Sequence, residues 1–299
     1  MKMRLQRIGT RTLPLATVLI SATLTFGQMP QQQQPGQQPS QQPGQPGQPP
    51  NPSNSTQPLT LDSTPPPVNA EEEAAIKAFR DASTQTPQDL AKKDQLAEQF
   101  VEKYPQSRYL PETYNWLVRS YYRKGEVDKM EAAADKQLAL YPNDPQTLAI
   151  VGATLPRAMN ASTPDPQKRL AKSEQYCKKA LDLLPTVPKP AGMADDTFQH
   201  LKNETASMAY SGLGMVAFRR GQFPDAISNL DSAVKTDPDQ PDPVNFYVLG
   251  LANEKASHFQ DAVTAFTKCA AIQGGMQATC SQNVEEAKKL AATQPSAPK

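Results

Sequence analysis

The chain of 299 residues has only three cysteines and two histidines. Three cysteines exclude a fold built on a disulfide framework. The histidines, His200 and His258, stand far apart, and neither has a cysteine or an acid at ligand spacing, so no metal site is indicated. No glycine-rich loop precedes a Lys-Ser or Lys-Thr pair, which removes a phosphate cradle. No nucleophile–base pair stands out either. The sequence therefore reads as non-catalytic, with no cofactor. Lys and Arg number 31 against 30 Asp and Glu, so there is no basic field to attract nucleic acid. The apolar run at residues 13–26 falls short of the roughly 20 residues that a spanning helix needs.

That run has a different meaning. Lys2, Arg4, Arg7 and Arg11 precede it without an acid, and Thr25-Phe26-Gly27 supplies small residues around a cut. A positive start, a short apolar run and a small-residue site together describe a secretory signal peptide, 1–27, cleaved near Gly27/Gln28. Retention of this segment as an anchor is the only route to membrane contact. Removing its four basic residues from 31 leaves 27 against 30 acidic ones. The mature chain is expected in the periplasm or outside the cell.

Proline is abundant, with 30 residues clustered toward the N-terminus. Residues 28–50 are almost entirely Gln, Pro and Gly, and Asp62 is the only charge in 28–68. Such a segment buries too little apolar surface to offset its ordering entropy, so it reads as a disordered arm. Extended as polyproline, it would reach on the order of 100 Å. It is a spacer or, as a second reading, a ligand for a proline-reading domain or the cell wall.

Residues 69–299 repeat. Within 111–144, Tyr114, Leu117 and Tyr121 recur at helical spacing, Gly125 interrupts, Met130, Ala134, Gln137 and Leu138 resume, and Pro142 closes. Residues 207–240 supply Tyr210, Leu213-Gly214, Ala226, Leu230, Ala233 and Pro238. Residues 243–274 supply Phe246, Leu249-Gly250, Phe259, Ala262 and Phe266. A further copy opens at Pro145 (Leu148, Val151-Gly152, Leu155) and finishes with Cys177, Ala180, Leu181 and Pro185, the excess length falling in a turn around 156–168. A helical pair, 71–82 and 88–103, precedes them all. This pattern resembles the tetratricopeptide repeat. The resemblance implies an all-α, right-handed superhelical solenoid of about five stacked antiparallel hairpins. Residues 277–292 would form a capping helix with Val284, Ala287 and Leu290 turned inward. One segment departs from the pattern: from Asp195 or Asp196, read as an N-cap, a helix runs unbroken to Arg220, about three turns longer than a repeat helix. Its extra turns either pack against the stack or dock a partner.

The resemblance also implies function, because this family binds other proteins through the first helix of each pair. Carried over by position, the groove residues are Asn115, Arg119, Tyr122 and Arg123 in one copy, Met215, Phe218 and Arg219 in the next, and Tyr247 and Leu251 in the last. For Met215 and Phe218 the alternative is cover by a neighbouring helix. Methionine, aromatic rings and arginine suit an extended or helical peptide. The run 104–111 (Tyr-Pro-Gln-Ser-Arg-Tyr-Leu-Pro) resembles one in envelope-assembly repeat proteins. The expectation is an exported scaffold binding a protein or peptide in the bacterial cell envelope. The alternative is a structural spacer whose arm engages the cell wall or a membrane complex. Cys269 and Cys280 stand at the end of one helix and the start of the next. In an oxidising compartment a bridge would pin the cap, at about 3 kcal/mol by chain entropy, although Cys269 also fits a buried position of its repeat. Cys177 reads as a core residue. The intact mass of the exported chain is expected to correspond to a start near Gln28; a mass retaining 1–27 would show an anchored chain.

Overall fold

The computed structural model describes residues 69–293. The expected signal segment, 1–27, and the expected arm, 28–68, lie outside the described residues. Among the described residues there are eleven α-helices and no strand. They pair as antiparallel hairpins: α1 (Ala70–Asp81) with α2 (Pro87–Lys103), α3 (Leu110–Lys124) with α4 (Val127–Leu140), α5 (Pro145–Ala158) with α6 (Pro166–Leu183), α7 (Asp195–Arg219) with α8 (Phe223–Thr236), and α9 (Pro243–Lys255) with α10 (Phe259–Ala271). A last helix, α11 (Gln277–Thr293), packs on α10. Each hairpin lies on the next, α2 on α3, α4 on α5, α6 on α7 and α8 on α9. The fold is thus an all-α solenoid of stacked helical hairpins.

Local chemistry places the helix ends. Proline opens α2, α5, α6 and α9, where its missing N–H would have had no partner and its φ is already helical. Asn69, Thr86, Asp144 and Asp242 accept first-turn backbone N–H groups on their side chains, which satisfies donors that the helix itself leaves orphaned. Gly125 ends α3 at φ 70, a left-handed conformation that glycine adopts without a Cβ penalty.

A size-matched contact sets the distance between the helices of a hairpin. A Cβ added to Gly214 of α7 would stand 2.5 Å from Leu230 Cγ of α8. One added to Gly250 of α9 would stand 2.5 Å from the Phe266 ring of α10. At Gly152 of α5 the obstacle is Cys177 Sγ of α6, at 2.4 Å. A Cβ at Gly212 of α7 would strike the same sulfur, so Cys177 is the knob between α5 and α7. These glycines let fully buried side chains sit directly against the opposing backbone.

Four details differ from the sequence reading. The excess length of the third hairpin is not confined to its turn: α5 continues through Pro156, and α6 runs 18 residues where α4 and α8 run 14. Pro156 cannot donate to Gly152 O, and that carbonyl accepts from Ser173 Oγ at 2.6 Å instead. The N-cap of α7 is Ala194, and Asp195 and Asp196 occupy the first turn, where carboxylates complement the helix dipole without capping it. Leu290 is 41 % exposed, whereas Val284 and Ala287 of α11 are buried, because α10 covers only the first half of that stripe. The helix beginning at Asp195 ends at Arg219, with Arg220 as its C-cap.

Buried polar groups tie the ends of the stack. Asp94 of α2 accepts from Trp116 Nε1 (2.8 Å), Ser120 Oγ (2.7 Å) and Lys124 Nζ (2.6 Å), one stripe of α3. Burial alone would raise its carboxyl, but these three donors hold it below the usual carboxylate range. At the other end Cys269 of α10 and Cys280 of α11 are joined in a disulfide, Cα atoms 5.7 Å apart. Burial pushes the remaining thiol, Cys177, up to about 12, so at pH 8 it stays protonated and unreactive. Ellman titration of folded, unreduced protein at pH 8 should find no reactive thiol, and the guanidinium-unfolded, unreduced chain should show one; three would mean that no bridge forms.

Candidate functional site

The first helices of the hairpins form one row, and the cavities lie along it. Where α3 faces α5 and α7, a cavity of about 100 Å³ is lined by Arg119, Tyr122 and Arg123. Gln146 and Ile150 of α5 line it too, and Glu204, Thr205 and Met208 of α7 close its other side. Glu204 and Thr205 belong to the extra turns of α7, so that extension neither projects freely nor only packs; it walls the cavity. Arg119 and Arg123 are one helical turn apart, and among the described residues no carboxylate stands within ion-pair distance of either. The guanidinium of Arg123 lies over the Trp116 ring, 5.4 Å from its centroid. Two like charges at this spacing cost a few tenths of a kcal/mol in the free helix, which an incoming carboxylate would reverse.

A second cavity, of about 290 Å³, opens beyond Tyr122 toward the α3–α4 turn. Its lining is mostly apolar: Tyr121, Tyr122, Val127, Met130 and Ala158, with Arg157 at the rim. Tyr122 lines both cavities and stands between them. Burial raises its phenol above the usual range, against the opposing pull of Arg157.

Arg157 anchors this region. It reaches from α5 to Ser211 Oγ of α7 (2.6 Å) and to Asn245 Oδ1 of α9 (2.9 Å) through Nη2, and to Asp242 Oδ2 (2.7 Å) through Nη1. Asp242 is itself the N-cap of α9, accepting from Val244 N–H. One planar guanidinium thus holds three successive hairpins by their first helices, a task that suits the Arg fork and not the single point charge of Lys.

The residues expected from position divide into two groups. Arg119, Tyr122 and Arg123 come together at the first cavity. The rest do not join them. Met215 is 6 % exposed and packs with Leu230, Val248 and Leu249, so it is a core residue; the neighbouring helix α9 covers it. Phe218 is half-buried against Phe223, ring centroids 6.0 Å apart. Tyr247 packs on Phe266 at 5.9 Å, and Leu251 lies on the cluster of Ala262 and Val284. Asn115 donates to Asp144 Oδ2 at 3.3 Å and serves the cap of α5. Arg219 is exposed and donates to Met159 O at 3.0 Å. Reading by position missed Gln146 and Arg157 because the 145–185 copy was not carried over; Arg157 occupies the place in that copy that Arg123 holds in 111–144. Nothing in the repeat pattern pointed to Glu204 and Thr205, which lie before the 207–240 copy begins. Among the described residues there is no group of three metal-ligating side chains, and no helix is long and apolar enough to cross a membrane.

No protein-family model and no curated protein matches the sequence. Solved structures do. A thermophilic TPR (tetratricopeptide-repeat) protein of Thermus thermophilus matches at 14% identity over 73% of this chain and 99% of its own, with a TM-score of 0.46. PilW, a widely conserved type IV pilus biogenesis factor, matches at 18% identity over 75% of this chain and 92% of its own, at 0.44. MamA of Desulfovibrio magneticus RS-1, from residue 41 to its end, matches at 16% identity over 76% of this chain and 99% of its own, at 0.36.

Replacing Arg157 by Ala should lower stability by about 1–3 kcal/mol, because Asp242 loses its charge partner in a half-buried setting. Arg157→Lys should recover less than half of that loss. Urea unfolding midpoints read both; no change in either would show that the hub does not hold the stack. The paired antiparallel helices, the glycine at three of their crossings and the stacking of the pairs make this fold a solenoid of the tetratricopeptide-repeat type.

Proposed function

We propose that this chain is an exported, non-catalytic scaffold that binds a protein or peptide partner in the bacterial cell envelope or outside the cell. The observation that carries the reading is the cavity between α3, α5 and α7, where two guanidinium groups stand beside Ile150 and Met208, with no carboxylate at ion-pair distance among the described residues and Glu204 on the opposite wall. A charge-assisted, bidentate contact to a carboxylate is the strongest interaction those groups can make. Ile150 and Met208 beside them offer apolar area, and methionine adapts to side chains of different shape. A peptide that brings an acidic group and an apolar side chain to adjacent places fits this surface, as an extended strand or as one face of a helix. Export is supported by the signal-like segment at 1–27, and the net negative charge of the remaining chain fits a protein that is not a nucleic-acid binder. Binding is then a matter of shape and charge, with no bond made or broken.

The test is cross-linking capture from whole cells with the native chain and an Arg119→Ala/Arg123→Ala variant of equal helicity by circular dichroism. Phe218, which is partly core, is left unchanged. The expected outcome is an envelope protein captured by the first and reduced at least tenfold with the second, about 1.4 kcal/mol of binding. An unchanged catch would remove the groove from consideration and leave the arm as the surface to examine.

A further inference from the structure

The first cavity carries charge of both signs on facing walls. Arg119 and Arg123 stand on α3, Glu204 stands on α7, and α5 packs against both helices. Glu204 and Arg119 are each half-buried, yet among the described residues no cation lies within ion-pair distance of Glu204 and no carboxylate within that distance of either arginine. The charge of Glu204 is felt across the gap, where it adds to burial in pushing the Tyr122 phenol up. A charge in a half-buried setting loses hydration, and without a partner nothing offsets that loss. Two cations and one anion that do not satisfy one another are complementary to a ligand bearing both signs. We propose that the groove takes a peptide of a partner protein that presents an acidic and a basic side chain on one face, the acid to Arg119 and Arg123 and the base to Glu204. The proposal rests on reading the groove as a peptide site and names the chemistry of its occupant.

The lining also orders the ligand. The three helices run the same way. Asn115 in the first half of α3 meets Asp144, the cap of α5, and Tyr122 near the end of α3 shares the second cavity with Thr154 and Arg157 near the end of α5. A Cβ on Gly212 of α7 would meet the backbone of Gly152 in α5, and Arg219, the last residue of α7, donates to Met159 O just past α5. Along this shared direction the walls change from polar to apolar. Gln146 precedes Ile150 on α5 and Glu204 precedes Met208 on α7, each by about one turn. Tyr122 and the mostly apolar second cavity follow. The ligand is therefore asked for a base, then an acid, then an apolar side chain. Residues three or four apart on a helix hold an acid and a base about 5–6 Å apart on one face, and an apolar residue one turn further continues that face toward the second cavity.

Glu204 gives the site its selectivity. Two arginines alone would accept any acidic segment. A second acid beside the first would be set against Glu204, and like charges brought together disfavour the wrong partner. The first cavity, at about 100 Å³, admits the ends of side chains, so the peptide backbone lies across its mouth. Because Glu204 belongs to the turns of α7 that precede the repeat, the discriminating charge comes with that extension.

The test pans a phage-displayed library of random twelve-residue peptides on four full-length proteins: the native chain, Glu204→Gln, Glu204→Lys, and Arg119→Ala/Arg123→Ala. Circular dichroism and urea midpoints check that all four are folded. The native chain should enrich peptides with an acid and a base at one fixed separation. Glu204→Gln should keep the acid and lose the base, Glu204→Lys should exchange the base for a second acid, and the double Arg variant should lose the acid. A fluorescein-labelled synthetic peptide of the sequence selected by the native chain should bind Glu204→Gln about tenfold more weakly by anisotropy. Selection of an acid without a base by the native chain overturns the role of Glu204 and leaves the peptide groove standing. The same acid–base pair from all four proteins places the peptide elsewhere and overturns the assignment to this groove. No enrichment by the native chain also overturns the proposal, and the capture experiment then judges the groove alone.

Discussion

Within a hairpin everything depends on how closely two helices cross, and that distance is decided by one pair of residues. Where the first helix carries glycine, the second carries a large side chain against it: Gly152 with Cys177, Gly214 with Leu230, Gly250 with Phe266. In the 111–144 hairpin the sizes are exchanged, with Val118 on the first helix and Ala134 on the second, both fully buried in one cluster. In each of these hairpins a small residue on one helix makes room for a larger one on the other, as close packing demands. The stacking of the hairpins sets their first helices in one row. Without that row there would be no shared surface for a groove.

Polar contacts then join hairpin to hairpin, and they reuse the helix starts. Asp144 caps α5 and also takes hydrogen bonds from Asn115 of α3 and Gln137 of α4. Asp242 caps α9 and pairs with Arg157 of α5. A carboxylate already fixed by the cap of its own helix loses little further freedom when it receives a neighbour, so each of these links is cheap in entropy. Arg157 extends the principle across three hairpins and lines the second cavity beside Tyr122. The groove therefore rests on a base held by polar links, while Arg119 and Arg123 on its wall have no carboxylate partner among the described residues.

The departures from the regular repeat are concentrated around this surface. The added turns of α7 bring Glu204 and Thr205 over α3 and α5. The long α5–α6 connection follows directly on Arg157 and Ala158, which line the second cavity. A strictly regular stack would have left a shallow channel here; the insertions give it a second wall.

Much of this was legible from residue order alone. Helical period, proline at helix starts and glycine at the crossings are local or near-local signals, so the number of hairpins, their pairing and the long α7 could be read directly. The groove could be read only in part. Arg119, Tyr122 and Arg123 were placed by their position in one repeat, whereas Met215 and Phe218, at equivalent positions in another, went into the packing because α9 and α8 cover them. Position in a repeat determines which way a side chain points; whether another helix arrives on top of it depends on stacking. Glu204, Thr205 and Arg157 joined the site for the same reason: their partners are far along the chain, up to 88 residues for Arg157 and Asn245, and only the tertiary structure brings such residues together. Sequence determined the repeating unit, because its rules act within one hairpin. Tertiary structure decided which charges were left unpaired and which apolar surface was left uncovered, because both are properties of the assembled stack.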